Sequence, residues 1–514
     1  MRRWLFWPLA VLVIAIPTLV ASALLWHFDQ ATLFDSLPVM SDEVFYWHQA
    51  QTFSEVGLNG GYYSAAELLP RAEFSHFYSW GLFTPAFYGS IGAILGWPLW
   101  AIAVLNLGLL AAATLAFIIL ARLKIEQLVW LGALLAVYHP LTLYAPSQYI
   151  EVLNMAFALA IAGGFVRLIQ AAKANIRPAG ALIAGTGLLI VAASLVRFPW
   201  AILLLPLTVL AAPPRNWRQW LRAVLVPLPV MLASLAFYTA TSAPYPNTIL
   251  ERIARRDTLE RKLQVVINNT TRNLNAFFQG DHLEIQHRVL MVLAIVLALA
   301  VLIGVAFFML RRRSMPRRLQ GLGWESALIA YTLGFILIFQ TVIYELEGLR
   351  GYRLFSMVIL LAIALMVAFK RRWILAPLLL YHVVVTPWVL TFYDNFTNFN
   401  TSPDKLTQYI EWKPRLAEAL TYDAAATDPW CNTVLFDLWY LFGPTSVMIG
   451  TPAGFGLSIT EAFPDGTMPI PPQAAYVVLK TETYEKFADQ LDLIPMMDVP
   501  DGRLYRNQAG SCPP

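Results

Sequence analysis

The residues best suited to chemistry lie in Ser41-Asp42-Glu43-Val44-Phe45-Tyr46-Trp47-His48, two adjacent acids among aromatics shortly after a long apolar run. A carboxylate at an apolar interface is partly desolvated, which raises its basicity and suits it to take a proton from an attacking hydroxyl. Asp42 or Glu43 is therefore a candidate general base. The same spacing fits a helix start, with Ser41 as cap and both acids in the first turn, and the two readings stay open. Glu73 and His76, three apart, could share a helical face and contribute to a metal site or to acceptor binding, or be ordinary interface polarity. Among the cations, Arg197 separates two apolar runs, while Arg350 and Arg353 stand at the mouth of another, in Glu345-Leu346-Glu347-Gly348-Leu349-Arg350-Gly351-Tyr352-Arg353. An ionisable residue at such depth is a functional candidate by default. Snorkelling, or pairing of Arg350 with Glu347, is the alternative. Arg353 is favoured, because it begins the run and Gly351 allows close backbone approach.

The elements that position these residues are membrane helices. The chain has 514 residues, 58% hydrophobic and 13% charged, which is too apolar for a water-soluble surface. Apolar windows fall near 4–26, 98–121, 126–144, 150–169, 180–195, 199–212, 221–242, 288–310, 325–344, 354–369 and 373–392, giving about eleven spans. The first window is long enough to be retained as a helix, although Ala21-Ser22-Ala23 has the look of a cleavage site. With a cytoplasmic N-terminus, the short basic connections, from Arg2 and Arg3 to Lys370–Arg372, all fall inside, as the positive-inside rule asks. The opposite side then receives residues 27–97, 244–287 and the tail from about 393. The expectation is an all-α polytopic membrane protein with a transmembrane domain at 1–392 and a small soluble, extracytoplasmic α/β domain at 393–514. The net charge of +4 comes with no basic stripe interleaved with aromatics, so nucleic acid is not an expected partner.

In the tail, Thr433–Asp437 and Ala475–Leu479 read as strands and Glu482–Leu493 as a helix. Cys431 and Cys512 are the only cysteines, and an oxidising compartment would let them pair; two separate thiols are the alternative. In 244–287, Ile249, Ile253, Leu263 and Val266 recur at helical spacing beside five basic residues, as in an amphipathic helix on the outer leaflet. Leu82–Gly89, rich in aromatics, reads as an interfacial helix.

The order of a first span, Asp42-Glu43 with Tyr46 one turn on, a long loop, an aromatic interfacial stretch ending at Gly96 and a second span resembles the GT-C superfamily of integral-membrane glycosyltransferases. Tyr144-Ala145-Pro146-Ser147 with Glu151, and Ala193-Ser194-Leu195-Val196-Arg197-Phe198-Pro199, add to the resemblance, which looks closest to the protein-mannosyltransferase and lipid A aminoarabinose-transferase branch. Where that branch usually has Lys-Pro-Pro-Leu-Tyr, this chain has Phe83-Thr84-Pro85-Ala86-Phe87, so both substrates stay open. The resemblance implies a GT-C-like fold, a catalytic acid at Asp42 with Glu43 its neighbour, and a polyprenyl-phosphate-linked sugar as donor. It further implies chemistry on the extracytoplasmic face, with the chain in the bacterial inner (plasma) membrane. The expected reaction is an inverting transfer to an acceptor hydroxyl of a glycan, lipid or protein, with Arg353, Arg350 or Arg197 on the donor phosphate. A divalent cation, Mg²⁺ or Mn²⁺, is the one cofactor this scheme leaves room for. The rival readings are a transporter or lipid flippase, which calls for ionisable groups at the bilayer midplane, and a lipid-linked oligosaccharide ligase or polymerase, which calls for key Arg and His residues in a late loop.

Overall fold

The computed structural model describes residues 4–38, 42–60, 66–67, 81–174, 176–212, 214, 216–241, 249–279, 326–329, 331–334, 342, 348–397, 403–426, 428–460, 473–509 and 512. The expected span at 288–310, most of that at 325–344, and the pair Glu73 and His76 lie outside the described residues. The chain is mostly helical. Its helices are α1 (Phe6–Leu24), α2 (Asp42–Val56), α3 (Phe83–Leu95), α4 (Ala101–Ala121), α5 (Ile125–Val137), α6 (His139–Tyr144), α7 (Glu151–Lys173), α8 (Gly180–Val196), α9 (Leu204–Ala211), α10 (Trp217–Leu225), α11 (Leu228–Thr241), α12 (Ile249–Ala254) and α13 (Leu259–Gln279). Further along come α14 (Gly348–Ala368), α15 (Arg372–Thr397) and α16 (Pro403–Ala419).

Among the described residues, five stretches are long and apolar enough to cross a membrane: Phe6–Asp29, Ala101–Ala121, Glu151–Lys173, Trp217–Thr241 and Arg372–Thr391. The expected span 126–144 is broken, and the two short ones at 180–195 and 199–212 are parted by a second break; each break stands just ahead of a proline, which lacks the N–H that would continue the ladder. Tyr138, ahead of His139-Pro140, is extended and separates α5 from α6. Arg197, ahead of Phe198-Pro199, is extended at φ −145 and ψ 111, and a 3₁₀ segment, Phe198–Leu203, leads into α9.

The centre of the bundle is α7, whose small residues let its neighbours approach closely. A Cβ at Gly164 would lie 2.3 Å from Thr186 Oγ1 of α8, and one at Gly163 would lie 3.2 Å from Leu120 of α4. On another side α7 packs against α14. The resulting core includes Leu110, Phe117, Leu159, Phe165, Trp200, Phe355 and Leu361.

Five strands of the C-terminal region and one edge strand from the stretch between α2 and α3 form a six-stranded sheet in the order β1-β3-β2-β4-β6-β5. The strands are β1 (Ala66–Glu67), β2 (Thr433–Asp437), β3 (Gly456–Thr460), β4 (Tyr476–Lys480), β5 (Leu493–Val499) and β6 (Gly502–Asn507). The first four in spatial order are parallel, while β6 and β5 are antiparallel. The β2 strand is buried throughout, as parallel strands covered on both faces are. The expected helix over Glu482–Leu493 is shorter, at Thr481–Phe487 with a 3₁₀ turn, and Leu493 opens β5. Pro495, two residues on, is incompatible with a helix continuing there. Cys431 and Cys512 form a disulfide with Cα atoms 5.3 Å apart, tying the approach to β2 to the chain's end.

One apolar cluster joins α2 to both neighbours. Val44, Phe45, Tyr46 and Trp47 share it with Tyr149 and Ile150 at the start of α7, and with Leu416, Phe436, Phe455 and Leu457 of the C-terminal region. Trp47 Nε1 donates to Pro98 O and Trp97 Nε1 to Trp47 O, both at 3.0 Å. At the far end of α2, His48 Nε2 donates to Phe455 O at 2.8 Å, and Gly454 N–H donates to Thr52 Oγ1 at 3.2 Å.

Gly502 has no room for a side chain: a Cβ there would lie 2.0 Å from Leu479 O and 2.5 Å from Tyr440 Oη. Gly502→Ala is expected to cost about 3 kcal/mol, the upper range for overpacking, and to expose the C-terminal sheet to limited proteolysis. An unchanged digestion pattern would mean the strand has slack. His48 carries a pH dependence. Burial lowers its imidazole from 6.5 to about 4. The unfolded chain thus takes up a proton below about pH 6.5 that the folded chain refuses until about 4, so stability falls as pH drops through that window, by roughly 3 kcal/mol in all. Thermal unfolding between pH 7 and 5 should therefore slope more steeply for wild type than for His48→Gln; equal slopes would mean the folded state accommodates imidazolium.

Candidate active site

Three helix starts and one helix break converge at the site. Asp42 opens α2 and Glu151 opens α7, so each carboxylate sits where unpaired backbone N–H groups favour negative charge. Arg353 lies in the second turn of α14. Arg197 occupies the extended residue between α8 and the 3₁₀ segment, and only that break brings it to α7.

Arg353 Nη2 lies 2.9 Å from Asp42 Oδ2, and its Nε lies 3.0 Å from Glu151 Oε1. Arg197 donates to the same Glu151 Oε1. Glu151 is wholly buried, whereas the side chains of Asp42 and Arg353 are 17% and 22% exposed, so the Asp42–Arg353 end of the cluster is the one within reach of a ligand. The ring of Tyr149 lies 5.2 Å from the Arg353 guanidinium carbon, close enough for a cation–π contact. Tyr46 is buried one turn after Asp42; burial first, then the charges of Asp42 and Glu151, hold its phenol well above the usual value, so it stays neutral. Burial, with Glu43 and Asp42, does the same to Tyr149.

The connection preceding α7 is clamped. Glu43 Oε1 accepts the Gln148 backbone N–H at 2.8 Å, and Gln148 Nε2 donates to Leu99 O at 2.6 Å. Asn106 of α4 accepts from the Tyr88 hydroxyl and donates to Tyr149 O at 3.0 Å. One turn into α7, Asn154 accepts from Trp200 Nε1 at 3.0 Å, fixing the segment after Arg197.

Of the residues singled out from sequence, Asp42 and Arg353 are brought into direct contact. Glu43 is buried and spent on the Gln148 clamp. Arg197 is buried against Glu151 rather than presented to a ligand. Arg350 lies one turn before Arg353 in α14, and its side chain, like Glu73 and His76, is outside the described residues. The helix-start reading of Asp42 holds, because the acid sits in the first turn of α2, and from there it also faces a guanidinium. Glu151 and Tyr149 are the residues that the residue-by-residue reading did not place here. The signal for Glu151 was present, an acid at the head of a long apolar run.

The one described group with metal-ligand spacing, Asp428 with Cys431 and Cys512, has its sulfurs bonded to each other, so it offers no thiolates. At the site itself, Asp42 Oδ2 and Glu151 Oε1 already face guanidinium groups, whose positive charge opposes a second cation on the same oxygens.

No family model matches the chain, and no curated protein matches it significantly. Three solved structures align over nearly all of it. ArnT from Cupriavidus metallidurans in the apo state is 11% identical over 97% of this chain and 98% of that one, at a TM-score of 0.40. ArnT bound to undecaprenyl phosphate is 11% identical over 98% of this chain and 99% of that one, at 0.39. The Archaeoglobus fulgidus oligosaccharyltransferase, tethered with an acceptor peptide containing the NVT sequon, is 12% identical over 97% of this chain and 74% of that one, at 0.46. At this degree of likeness the chemistry has to be read from the chain's own residues.

Proposed function

We propose that the chain is a membrane glycosyltransferase of the GT-C type that moves a sugar from a polyprenyl-phosphate donor to an acceptor hydroxyl. The observation that carries this reading is the contact between Asp42 and Arg353 at the partly exposed end of an otherwise buried ionic cluster. It sets a base and an anion-binding group side by side, at the heads of α2 and α14.

The acceptor hydroxyl gives its proton to Asp42 as its oxygen bonds to the anomeric carbon. The bond from that carbon to the phosphate oxygen breaks, and the electron pair leaves on the polyprenyl phosphate, with inversion at carbon. Arg353 meets the charge that gathers on the departing phosphate, where its hydrogen bonds strengthen toward the transition state. Tyr149 holds the guanidinium plane, and Glu151 anchors it. A Mg²⁺ or Mn²⁺ ion could join Asp42 from the ligand side; no step of this scheme passes through one.

In this reading the chain spans the bacterial inner membrane about eleven times. The heads of α2, α7 and α14 then face the periplasm, in line with the basic connections at the other helix ends. The soluble region from residue 393 lies on that same side, where its disulfide is chemically at home. The exposed Leu259, Leu263 and Ile267 of α13, four residues apart, would rest on the outer leaflet. A transporter would place its ionisable cluster midway along its spans, whereas Asp42, Glu151 and Arg353 stand at helix starts.

Purified protein supplied with polyprenyl-phosphate-linked labelled sugar should transfer it, and Asp42→Asn should lower kcat by about 10²- to 10⁴-fold, the usual range for loss of a general base. Arg353→Ala should lower kcat/KM for the donor, through a fall in kcat as well as a rise in KM. Persistent turnover in well-folded Asp42→Asn would remove the base, and unchanged donor kinetics in Arg353→Ala would remove the phosphate role.

A further inference from the structure

Arg353 holds its two carboxylates on different edges of its guanidinium. Nη2 faces Asp42 Oδ2 at 2.9 Å, while Nε faces Glu151 Oε1 at 3.0 Å. The two contacts differ in how readily they can be given up. Asp42 is partly exposed and can be rehydrated when it lets go. Glu151 is wholly buried, and parting it from its cations would leave a bare charge away from water. Its Oε1 is shared with Arg197, itself buried, so the carboxylate stays fixed whatever happens at the Nη edge. Its Oε2 is buried and accepts no hydrogen bond among the described residues, leaving an acceptor for a second N–H of Arg353. The Tyr149 ring limits sliding of the guanidinium plane.

We infer that Glu151 is a positioning residue that keeps Arg353 in place while an incoming prenyl phosphate displaces Asp42 from the Nη edge, so that donor binding releases the base. This rests on the donor site proposed above and adds an order to it. A phosphate, like a carboxylate, can meet two N–H groups of the Nη edge in a plane, and a prenyl phosphate brings in addition the binding of its chain, which offsets the loss of the Asp42 contact. Until it arrives, Asp42 Oδ2 is engaged by Arg353 Nη2 at 2.9 Å and turned away from an acceptor hydroxyl. Once Arg353 turns to phosphate, that oxygen is released toward the open side of the site, where an acceptor hydroxyl can reach it. The site therefore becomes competent only with donor in place, and the acceptor is activated second.

The test uses the full-length protein in detergent micelles with undecaprenyl phosphate as probe, measuring its binding and the rate at which a hydrophobic carbodiimide labels Asp42, read by peptide mass spectrometry. In wild type, saturating probe should speed Asp42 labelling about tenfold, and Asp42→Asn should bind the probe about tenfold more tightly, because the competing anion is gone. Glu151→Gln should bind the probe more weakly, and its Asp42 labelling should no longer respond to it. Glu151→Asp, which keeps the charge, should restore part of that response. Should Glu151→Gln fail to fold, the wild-type labelling and the Asp42→Asn affinity decide alone. Probe that binds wild type without changing Asp42 labelling, or that binds Asp42→Asn no more tightly, overturns the release of the base and leaves the donor site standing. Probe that does not bind at all overturns the donor site and this inference with it.

Discussion

A carboxylate with no exposure to water, Glu151, is the constraint around which the membrane part of this chain is arranged. Burying such a charge without partners is prohibitively unfavourable, so cations must be delivered to it. Arg197 reaches it only because the chain between α8 and α9 is extended there, and that extension is enforced by Phe198-Pro199. Arg353 reaches it only because α14 begins beside the head of α7. Two guanidiniums on one carboxylate would leave a surplus positive charge, which Asp42 balances. The formal charges of Asp42, Glu151, Arg197 and Arg353 cancel, which lowers the cost of holding them among apolar helices.

Balance of this kind explains why the site is asymmetric. The Arg197–Glu151 end is sealed, and its contribution is to hold. The Asp42–Arg353 end is partly open, and the amides and indoles beside it secure backbone. Gln148 and Asn106 fix the connection ahead of α7, and Trp47 and Trp97 bracket the one ahead of α4. The charged groups are thus left as the polar elements still able to change partners.

Much of this was legible in the sequence, and what was not has identifiable causes. Hydropathy placed the long helices because a span must be apolar over its whole length; the interruption at Arg197 showed as a gap between two short runs, whereas the break at His139-Pro140 lies inside the single run 126–144, whose apolar residues continue through it. Asp42 and Arg353 stood out as ionisable groups at the edges of apolar runs. Their contact did not, because α2 and α14 are far apart in the chain and no local pattern encodes which helix heads meet. Glu151 was visible as an acid opening a span, but its partnership with Arg197 depends on a fold-level coincidence of a break with a helix start. In the tail, β2 and β4 were readable from dense β-branched runs. The β3 strand, Gly456–Thr460, was not, since Gly456 and Ser458 weaken the strand signal and the burial that makes it a strand comes from its neighbours on both sides. The cysteine pairing needed no geometry to suggest it, only the absence of other cysteines.

The adjacency of Asp42 and Glu43 poses a sharper question, since two acids in successive positions have opposite fates. On a helix, neighbouring residues point about 100° apart, so the rotation of α2 about its axis selects the acid that faces Arg353. That rotation is not set at the Asp42 end alone. At the other end, Phe455 O and Gly454 N–H of the C-terminal region grip His48 and Thr52. From the side, α3 presses against α2 at two glycines: a Cβ at Gly89 would lie 2.6 Å from Phe53 Cβ, and one at Gly92 would lie 3.1 Å from Ser54 Cβ. A turn of α2 by one residue would break the grip and drive Phe53 into α3. It would also exchange Glu43, whose carboxylate belongs to the Gln148 N–H, for Asp42. The C-terminal region thus bears on the chemistry without contributing a residue to the ionic cluster. It fixes the angle of the helix that carries the acid.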